Sequence, residues 1–492
     1  MDEAPLGGTT REDVVAAMAA GPDAVLALIA QAVAAALAPV LERVRALEAA
    51  RAKDSHNSGQ PPSTDVTRAG RAPKSLRGKS GKPPGGQPGH PGRTLALRAA
   101  PDVVREHAPG ACAGCGAAFA PEASSTPVAS ERRQVFELPP LRLVCTEHRL
   151  AERTCPYCGV VSRGVYPPEA RSTAQYGPGV LALGVSLTAQ QLLPVQRAAD
   201  LVSALIGQQI SPATLLAAER RVAAAVAPAV ARIHAGLARA PVVHFDETGF
   251  FVAQQHWWLH VSGTRALAFY TAHPRRGGRA HDAIGLLPAY AGTAVHDAYE
   301  AYFTYRGCRH ALCGVHIQRE LVFLEEECGA RTAAWARPLR RALETMRRAT
   351  VRARDAGAAA LDARTRRRYA RRFDALVAAG EAAEPPPTPG ANRGPPRRTP
   401  GARLLRRLRR HRDAVLRFVH DLAVPFDNSE AECDLRMMKV EQKVSGGFRT
   451  VAGAHTFCTL RSYLGTARKQ GRDALGVLRG ALAGHPFIPT VP

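Results

Sequence analysis

Three acidic side chains have the types and positions needed for phosphate chemistry. Asp246 ends the apolar run VVHFD and Asp297 ends the similar run TAVHD, so two carboxylates follow two predicted strands. Neighbouring strands of one sheet would bring these two residues together. Glu432 supplies a third carboxylate from a predicted helix that Asp427 or Asn428 could cap. The three acids therefore form one candidate site.

Three carboxylates of this kind favour a divalent metal. Mg²⁺ (or Mn²⁺) takes oxygen ligands from protein carboxylates and from substrate phosphates, and two ions about 3.5 to 4 Å apart can assist an in-line phosphoryl transfer. A single Asp or Glu is more often a turn, cap or surface residue. The prediction of a magnesium site therefore rests on Asp246, Asp297 and Glu432 as a set.

Four cysteines form a second candidate metal site. Cys112 and Cys115 stand in CAGCG, and Cys155 and Cys158 stand in CPYCG. Glycine allows the tight turn that directs two thiolates at one tetrahedral ion, so we predict that these four residues bind Zn²⁺. Buried free cysteines are the alternative. The strand-like runs RRQVFELP and RLVCTEH between the pairs predict a small β-containing zinc domain.

The charge of the chain favours a polyanionic partner. Lys and Arg number 66 against 42 Asp and Glu, which gives a net charge of +24 and a pI near 10.4. Such an excess attracts nucleic acid through its long-range field and through counterion release. A generally basic protein is the alternative, and clustering of the charges decides between the two.

The basic residues cluster in a Gly/Pro-rich linker and in an Arg-rich helical segment. Residues 66–100 hold eight Lys or Arg, and residues 393–417 hold ten Arg and one Asp. A solvated linker or helix face is the alternative to phosphate contact. The residues predicted to contact DNA are Arg71, Lys74, Arg77, Lys79, Lys82, Arg319, Arg406, Arg410, Arg436, Lys439 and Lys443.

The length, hydropathy and cysteine content of the chain limit the class of protein. A chain of 492 residues corresponds to about three domains, which excludes a peptide, a toxin or a single small module. No window approaches the roughly 18 apolar residues of a membrane span, and the acidic start lacks the features of a signal peptide. Ten cysteines, several in pairs, indicate reduced thiols and metal ligands. We expect a soluble, cytoplasmic protein without a membrane partner.

Two helical regions precede the acidic residues. Residues 23–50 place Leu26, Val33, Val40 and Leu47 at seven-residue spacing, which predicts a helix that either self-associates or packs on its own domain. Pro39 is expected to kink or interrupt this helix. Residues 176–232 predict two helices joined by the short turn GQQIS, with Ser211 and Pro212 opening the second. That pair resembles a helix-turn-helix, although such pairs are also common for structural reasons.

Short strands carry the first two acids. About five runs rich in β-branched and aromatic residues follow Ala240. After Gln318 the sequence becomes helical and rich in Arg, is broken by EPPPTPGANRGPPRRTPG, and then resumes as a helix. This order predicts a mixed α+β core with a helical segment between Asp297 and Glu432.

These blocks resemble the transposases of the IS66 family of bacterial insertion sequences, from about Asp54 to the C-terminus. The resemblance implies an RNase H-like core of the DDE type, with Asp246, Asp297 and Glu432 as metal-binding acids. The blocks that carry it are NSGQPPSTD, SLRGKSGKPPGGQPGHPGRTL, the two CxxC turns, QYGPGVLAL, LLPVQR, HFDETGF, VHDAYEAY, HALCGVHIQREL and PFDNSEAECDLRMMKVEQKVSGGFRT.

The resemblance also implies a mechanism. Metal-activated water attacks the phosphodiester at the transposon end, and the liberated 3′-OH then attacks target DNA. Cys313, His316 and Arg319 match the block at the entry to the family's helical insertion. For these residues an orienting or phosphate-contacting role stands against core packing and a surface Arg.

The sequence departs from the family at three positions. Relatives commonly read DNNxAERD, whereas here Ser429 replaces an asparagine and Cys433 replaces an arginine. Gly447 stands where a cysteine is expected. These exchanges could weaken helix-cap or DNA contacts, so a catalytically inactive zinc-containing DNA-binding protein, or a transposase relic, is the alternative to an active enzyme.

Together these inferences predict a multidomain α+β transposase with an RNase H-like mixed-sheet catalytic core, a helical insertion, a small zinc domain and a helical N-terminal region. Its expected partners are double-stranded DNA, further copies of the chain, and accessory proteins of the same element. The predicted divisions are a helical N-terminus (1–53), a basic linker (54–100), a zinc domain (101–170), a helical DNA-binding segment (171–238), and a core (239–320 and 421–492) interrupted by the insertion (321–420).

Overall fold

The computed structural model describes residues 9–51, 89, 95–105, 107, 109–119, 131–138, 141–167, 170–387 and 398–492. The contacts separate the chain into two units, one of residues 1–75 with 147–492 and the other of residues 76–146. The five predicted DNA contacts of the linker lie outside the described residues; they are Arg71, Lys74, Arg77, Lys79 and Lys82.

Two helices begin the described chain, α1 (Arg11–Ala20) and α2 (Pro22–Arg51). A capping box opens α1, because the Thr10 hydroxyl accepts from the Asp13 backbone N–H at 3.2 Å and the Asp13 carboxylate accepts from the Thr10 N–H at 2.8 Å. The predicted helix over 23–50 is confirmed. It continues through Pro39, so the expected interruption there was wrong.

Short elements surround the second CxxC turn. Strands β1 (Glu152–Thr154) and β2 (Val161–Arg163) pair antiparallel on either side of Cys155 and Cys158. The strand-like runs RRQVFELP (132–139) and RLVCTEH (142–148) form no strand over their described residues. Val135 and Val144 are about nine-tenths exposed, and without a neighbouring strand or a covered face their alternating pattern has nothing to pack on.

Helices follow, as the sequence predicts. They are α3 (Pro178–Val185), a π-helical turn (Ser186–Gln190), α4 (Val195–Ile206) and α5 (Pro212–Arg239). Gly207 adopts the left-handed conformation that ends α4. The Ser211 hydroxyl accepts from the Thr214 N–H at 3.2 Å, with Pro212 at the first helical position, so the predicted start of α5 is confirmed.

A five-stranded mixed sheet carries Asp246 and leads to Asp297. Its order is β5-β4-β3-β6-β7, in which β3, β4 and β5 are antiparallel neighbours while β6 and β7 run parallel to β3. All five predicted strands are confirmed. Their bounds are β3 (Val242–Val252), β4 (Gln255–Gly263), β5 (Ala268–His273), β6 (Thr293–His296) and β7 (Arg309–Leu312).

Alternation along β3 assigns its residues to two faces of the sheet. Val243 and Phe245 pack with the end of α5 and with the helices α6 (Gly278–Ile284) and α7 (Leu286–Ala289). Phe250 and Val252 pack on the other face. The chain turns from β3 into β4 through only Ala253 and Gln254, both at positive φ, as a two-residue hairpin requires.

A helical insertion separates the end of the sheet from Glu432. Its helices are α8 (Gly314–Glu327), α9 (Gly329–Asp355), α10 (Ala363–Ala383), α11 (Pro400–Arg410), α12 (Arg412–Val415) and α13 (Arg417–His420). They share one apolar core, which includes Trp335, Leu339, Phe373 and Leu405. The helical segment predicted between the second and third acids is confirmed.

Three helices end the chain: α14 (Ser429–Ser445), α15 (Val451–Lys469) and α16 (Ala474–Leu482). Residues of α14 and α15 cover the sheet face of Phe250 and Val252, while the apolar side of α16 packs with α3 and α5. The protein is thus a mixed α+β structure with many helices around a mixed sheet. None of the helices in the described part of the chain is long and apolar enough to cross a membrane.

Candidate active site

The two aspartates lie side by side because their strands are parallel and in register. His244 of β3 pairs with Val295 of β6, and two further residues along each chain reach Asp246 and Asp297. Both residues therefore stand at the same end of the sheet, Asp246 within β3 on the face covered by α14 and Asp297 just after the last residue of β6. The sheet brings together the two aspartates that the sequence singled out.

Burial and neighbouring negative charge change the chemistry of Asp246. Burial raises its pKa to about 8, and the carboxylates of Glu247 and Asp297 add to the rise. Its only hydrogen bond among the described residues comes from the Glu247 backbone N–H at 2.9 Å. No cationic side chain of the described residues therefore donates a hydrogen bond to Asp246 that would stabilise its charged form.

A network that the sequence analysis missed lies next to this pair. Glu247 is buried, and its carboxylate accepts from Arg276 Nε at 2.7 Å and from the Tyr302 hydroxyl. Arg276 also lies over the Tyr299 ring at 4.1 Å and within 4.0 Å of the Asp297 carboxylate. Arg276 therefore links the chain after β5 to both acidic segments.

Glu432 stands in the first turn of α14, where its carboxylate meets the start of α8. His316 Nδ1 lies 3.6 Å from Glu432 Oε1, and the Cys313 thiol lies 4.0 Å from the same oxygen. Burial, together with the Glu432 charge, raises the pKa of Cys313 to about 12, so its thiol stays protonated. A positive charge on His316 would lower the pKa of Asp246, which indicates that this ring lies near Asp246 as well as near Glu432.

Asn428 fixes the start of α14 against the sheet. Its side-chain carbonyl lies 2.9 Å from His244 Nδ1, and its amide donates to the Phe245 carbonyl at 2.9 Å. Its backbone N–H also donates to the Cys313 sulfur at 3.3 Å. Asn428 is fully buried and does not cap the helix with its side chain; Asp427 instead accepts from the Ser429 N–H at 3.0 Å.

A close approach joins the insertion to this segment. The Gly314 N–H donates to the Phe426 carbonyl at 2.7 Å, and a Cβ at Gly314 would lie 2.2 Å from the Phe426 ring. Glycine is therefore required where α8 begins, two residues before His316. This contact brings the Cys313 and His316 side chains to Glu432.

Basic residues continue from Glu432 along one side of α14. Arg436, Lys439 and Lys443 follow Glu432 at intervals of four, three and four residues, which places them on one helix face. Arg436 and Lys443 are exposed, whereas Lys439 is half-buried, and burial lowers its pKa. We call Arg436, Lys439 and Lys443 the α14 basic stripe.

Unlike the α14 basic stripe, several arginines of the insertion pair with acidic side chains. Arg407, Arg409 and Arg412 form ion pairs with Glu320, Glu381 and Asp374, respectively. Of the predicted DNA contacts there, Arg410 lies 3.4 Å from Glu300, Arg406 is exposed, and Arg319 of α8 is half-buried. Acidic side chains of the same chain therefore neutralise a large part of this positive charge.

The two CxxC turns share one local geometry. The N–H of Cys112 donates to the carbonyl five residues later at 2.8 Å, and the Cys155 N–H does the same at 2.9 Å. Gly116 and Gly159 follow the pairs at positive φ. Backbone N–H groups within each turn lower the pKa of the first cysteine, Cys112 or Cys155, which favours the thiolate form that binds metals.

Comparison with protein families finds two matches. The model described as Transposase IS66 family matches residues 173–456, which is more than half of the chain and contains all three acids. A model described as Family of unknown function (DUF6444) matches residues 17–96. No curated protein matches the sequence significantly.

Proposed function

The chain belongs to the Transposase IS66 family, and we propose that it cuts DNA at the ends of a mobile element and joins those ends to target DNA, with Asp246, Asp297 and Glu432 as the catalytic acids. The proposal is supported by the register of β3 and β6, which leads to Asp246 and Asp297 at one end of the sheet, and by the packing of Ala431 and Leu435, on either side of Glu432 in α14, against that sheet.

The topology of the sheet supports the finer assignment. Three antiparallel strands followed by two parallel strands, in the order β5-β4-β3-β6-β7, are the arrangement expected of an RNase H-like core. The helical insertion between β7 and α14 stands where the family resemblance places it. We propose the domain divisions given by the sequence on the same basis.

The acids fit divalent metal ions. Asp246 and Asp297 offer hard oxygen ligands. The pKa of Asp246 is raised by burial and by the carboxylates of Glu247 and Asp297, and a bound cation would stabilise its charged form. Bound Mg²⁺ or Mn²⁺ would supply activation of the attacking hydroxyl and stabilisation of the leaving oxygen. Glu432 would bind from α14, with its carboxylate oriented by His316.

The positive residues would hold the DNA backbone. The α14 basic stripe starts one turn beyond Glu432, so a phosphodiester at the acids would continue past Arg436 and Lys443. Side chains that contact phosphates position the duplex without reading its sequence. Arg406 and the linker residues are proposed to add contacts of the same kind.

The cysteine turns are proposed to bind Zn²⁺. Support comes from the spacing of Cys112 with Cys115 and of Cys155 with Cys158, and from the geometry within each turn, where backbone N–H groups favour a thiolate. A structural zinc ion would stabilise the fold around these turns rather than take part in the reaction.

The N-terminal helix supports self-association. In α2, Leu26, Val33, Val40 and Leu47 repeat every seven residues and are each half or more exposed. Apolar residues at heptad spacing on one exposed helix face are typical of a coiled-coil seam. We therefore propose that α2 pairs with the same helix of further copies of the chain.

The decisive test is metal-dependent cleavage of DNA that carries the ends of the element. Asp297→Asn and Glu432→Gln should each reduce cleavage by about 100- to 1,000-fold or more while leaving DNA binding intact, because the missing carboxylate stabilises charge in the reaction and does not contact the duplex elsewhere. Asp413→Asn, an exposed acid of the insertion, is the matched control.

Two results would contradict the proposal. Near-normal cleavage by either variant removes that residue from the active site. If the wild-type chain binds the element ends specifically but does not cut them in either Mg²⁺ or Mn²⁺, the protein is the alternative, a DNA-binding relic.

A further inference from the structure

A second group of metal-ligand side chains lies on the sheet face opposite Asp246. Glu247 of β3, His260 of β4 and His281 of α6 offer one donor atom each, and these atoms all lie within 4.8 Å of one another. Glu247 and His260 are direct cross-strand partners, so the strand pairing itself sets their spacing. Alternation turns these two side chains away from the face of α14.

His281 lacks the partners that a buried imidazole normally has. Its side chain is only 3% exposed, yet neither ring nitrogen makes a hydrogen bond within the described structure. The ring packs against Tyr302 at 4.9 Å and faces the edge of His260 at 5.5 Å. A buried polar group without a partner needs an explanation, and a bound ion would supply one.

The other two ligands retain free coordination capacity. His260 uses one ring nitrogen to contact the Arg275 carbonyl at 3.1 Å, which leaves the other nitrogen free. The Glu247 carboxylate accepts from Arg276 and Tyr302, which uses two of its roughly four lone-pair positions. Burial lowers the pKa of both His260 and His281 to about 4, so the imidazoles are neutral, as metal ligands must be.

We propose that Glu247, His260 and His281 bind one divalent transition-metal ion, with zinc as the best match to two imidazoles and one carboxylate. The ion would join β3, β4 and α6 directly behind the strand that carries Asp246. It would hold that strand in place and would stay separate from the Mg²⁺ ions at the acids. The proposal does not depend on DNA cleavage.

A second three-ligand group among the described residues does not support a separate site. Cys313, His316 and Glu432 also lie within 4.8 Å of one another, but Glu432 already belongs to the proposed catalytic acids. The protonated Cys313 thiol also accepts from the Asn428 N–H. The group of Glu247, His260 and His281 uses none of these residues.

The test measures cobalt(II) bound by the full-length chain after its metals have been removed by chelation. Cobalt held by thiolates shows strong near-ultraviolet charge-transfer bands, whereas a histidine and carboxylate set contributes only visible d–d bands. We expect His281→Ala to bind about one cobalt fewer per chain than wild type, with the charge-transfer bands unchanged.

Two matched variants separate the sites. His256→Ala removes an exposed histidine from the same strand, β4, and should bind cobalt like wild type. Asp297→Asn weakens the catalytic site and should leave the d–d bands of the histidine site in place. If His281→Ala does not fold by circular dichroism, His260→Gln replaces it. Equal cobalt content and equal spectra in wild type and the folded variant would overturn the proposal.

Discussion

The two halves of the candidate active site are built by different means. Backbone pairing of β3 with β6 sets Asp246 beside Asp297, and that register is held by a continuous ladder of hydrogen bonds. Glu432 instead depends on side-chain interactions of α14, namely the packing of Ala431 and Leu435 on the sheet and, at the start of the helix, the hydrogen bonds of Asn428 with His244 and Phe245. We infer that the sheet half tolerates substitution around it, whereas the helix half can be displaced by a single change.

Among substitutions that leave the three acids in place, the largest effect is expected at the helix half. Asn428→Ala should lower DNA cleavage by about 10- to 100-fold while keeping DNA affinity, because it releases the helix that positions Glu432. Buried groups on His244 and Phe245 would lose their partner, at a cost in stability of about 1–3 kcal/mol each. Single-turnover kinetics measures cleavage, a binding titration measures DNA affinity, and urea unfolding measures stability.

The adjacent residue provides the control for that substitution. Ser429→Ala changes an exposed side chain whose hydroxyl contacts only Asp427 in the described structure, and it should cleave nearly as well as wild type. Equal losses of cleavage in Asn428→Ala and Ser429→Ala, or a loss of DNA binding equal to the loss of cleavage, would show that Asn428 has no specific positioning role.

The sheet half predicts a pH effect of intermediate size. The pKa of Asp246 is about 8 in the folded chain and near 3.8 when unfolded, so the folded state binds more protons between these values. The contribution of Asp246 to the free energy of unfolding should therefore fall as pH rises from about 4 to 8. In metal-free buffer above that window, Asp246→Asn should be more stable than wild type by about 1–3 kcal/mol.

Urea unfolding across this pH range checks the prediction, and Mg²⁺ should reduce the difference by stabilising the charged carboxylate. Asp413→Asn should follow the wild-type pH dependence, because this acid is exposed. If Asp246→Asn follows the wild-type curve as well, Asp246 does not carry the raised pKa.

The smallest effect concerns DNA affinity. Replacing Arg436 and Lys443 together with alanine should flatten the dependence of log affinity on log salt by up to about 1.8, at roughly 0.9 for each phosphate that is no longer neutralised. Replacing Arg409 and Arg412, which pair with Glu381 and Asp374, should change the slope much less. If the two double variants show similar slopes of log affinity against log salt, the α14 basic stripe is merely solvated and does not contact DNA phosphates.

The insertion shows why charge density in a sequence does not identify a DNA surface. Residues 393–417 carry ten arginines, but Arg407, Arg409 and Arg412 pair with acids that precede them by 28 to 87 residues. The sequence of a local run shows how many charges it carries, but not which distant acids pair with them. Which arginines are neutralised depends on the folding of α8 and α10 against α11.

Many of the helices and strands, and the family, could be predicted from the amino-acid sequence alone. Five strands, the Ser211 cap and the helical insertion are confirmed because alternation, capping and helical periodicity depend on residues close together in the chain. The motifs also established the family, which the match over residues 173–456 confirms. The strands predicted at 132–139 and 142–148 were wrong over their described residues, because alternation forms a strand only where a partner strand is present.

The groups that surround the acids depend instead on the tertiary fold. Arg276 stands in no recognisable motif, and yet it pairs with Glu247 across 29 residues. Asn428 was one of two candidate caps of α14, but its side chain bonds to His244 across 184 residues. His281 reaches Glu247 and His260 only because α6 folds back on the sheet. Such contacts join residues distant along the chain, and their geometry follows from strand register and helix packing, which no local pattern of residues encodes.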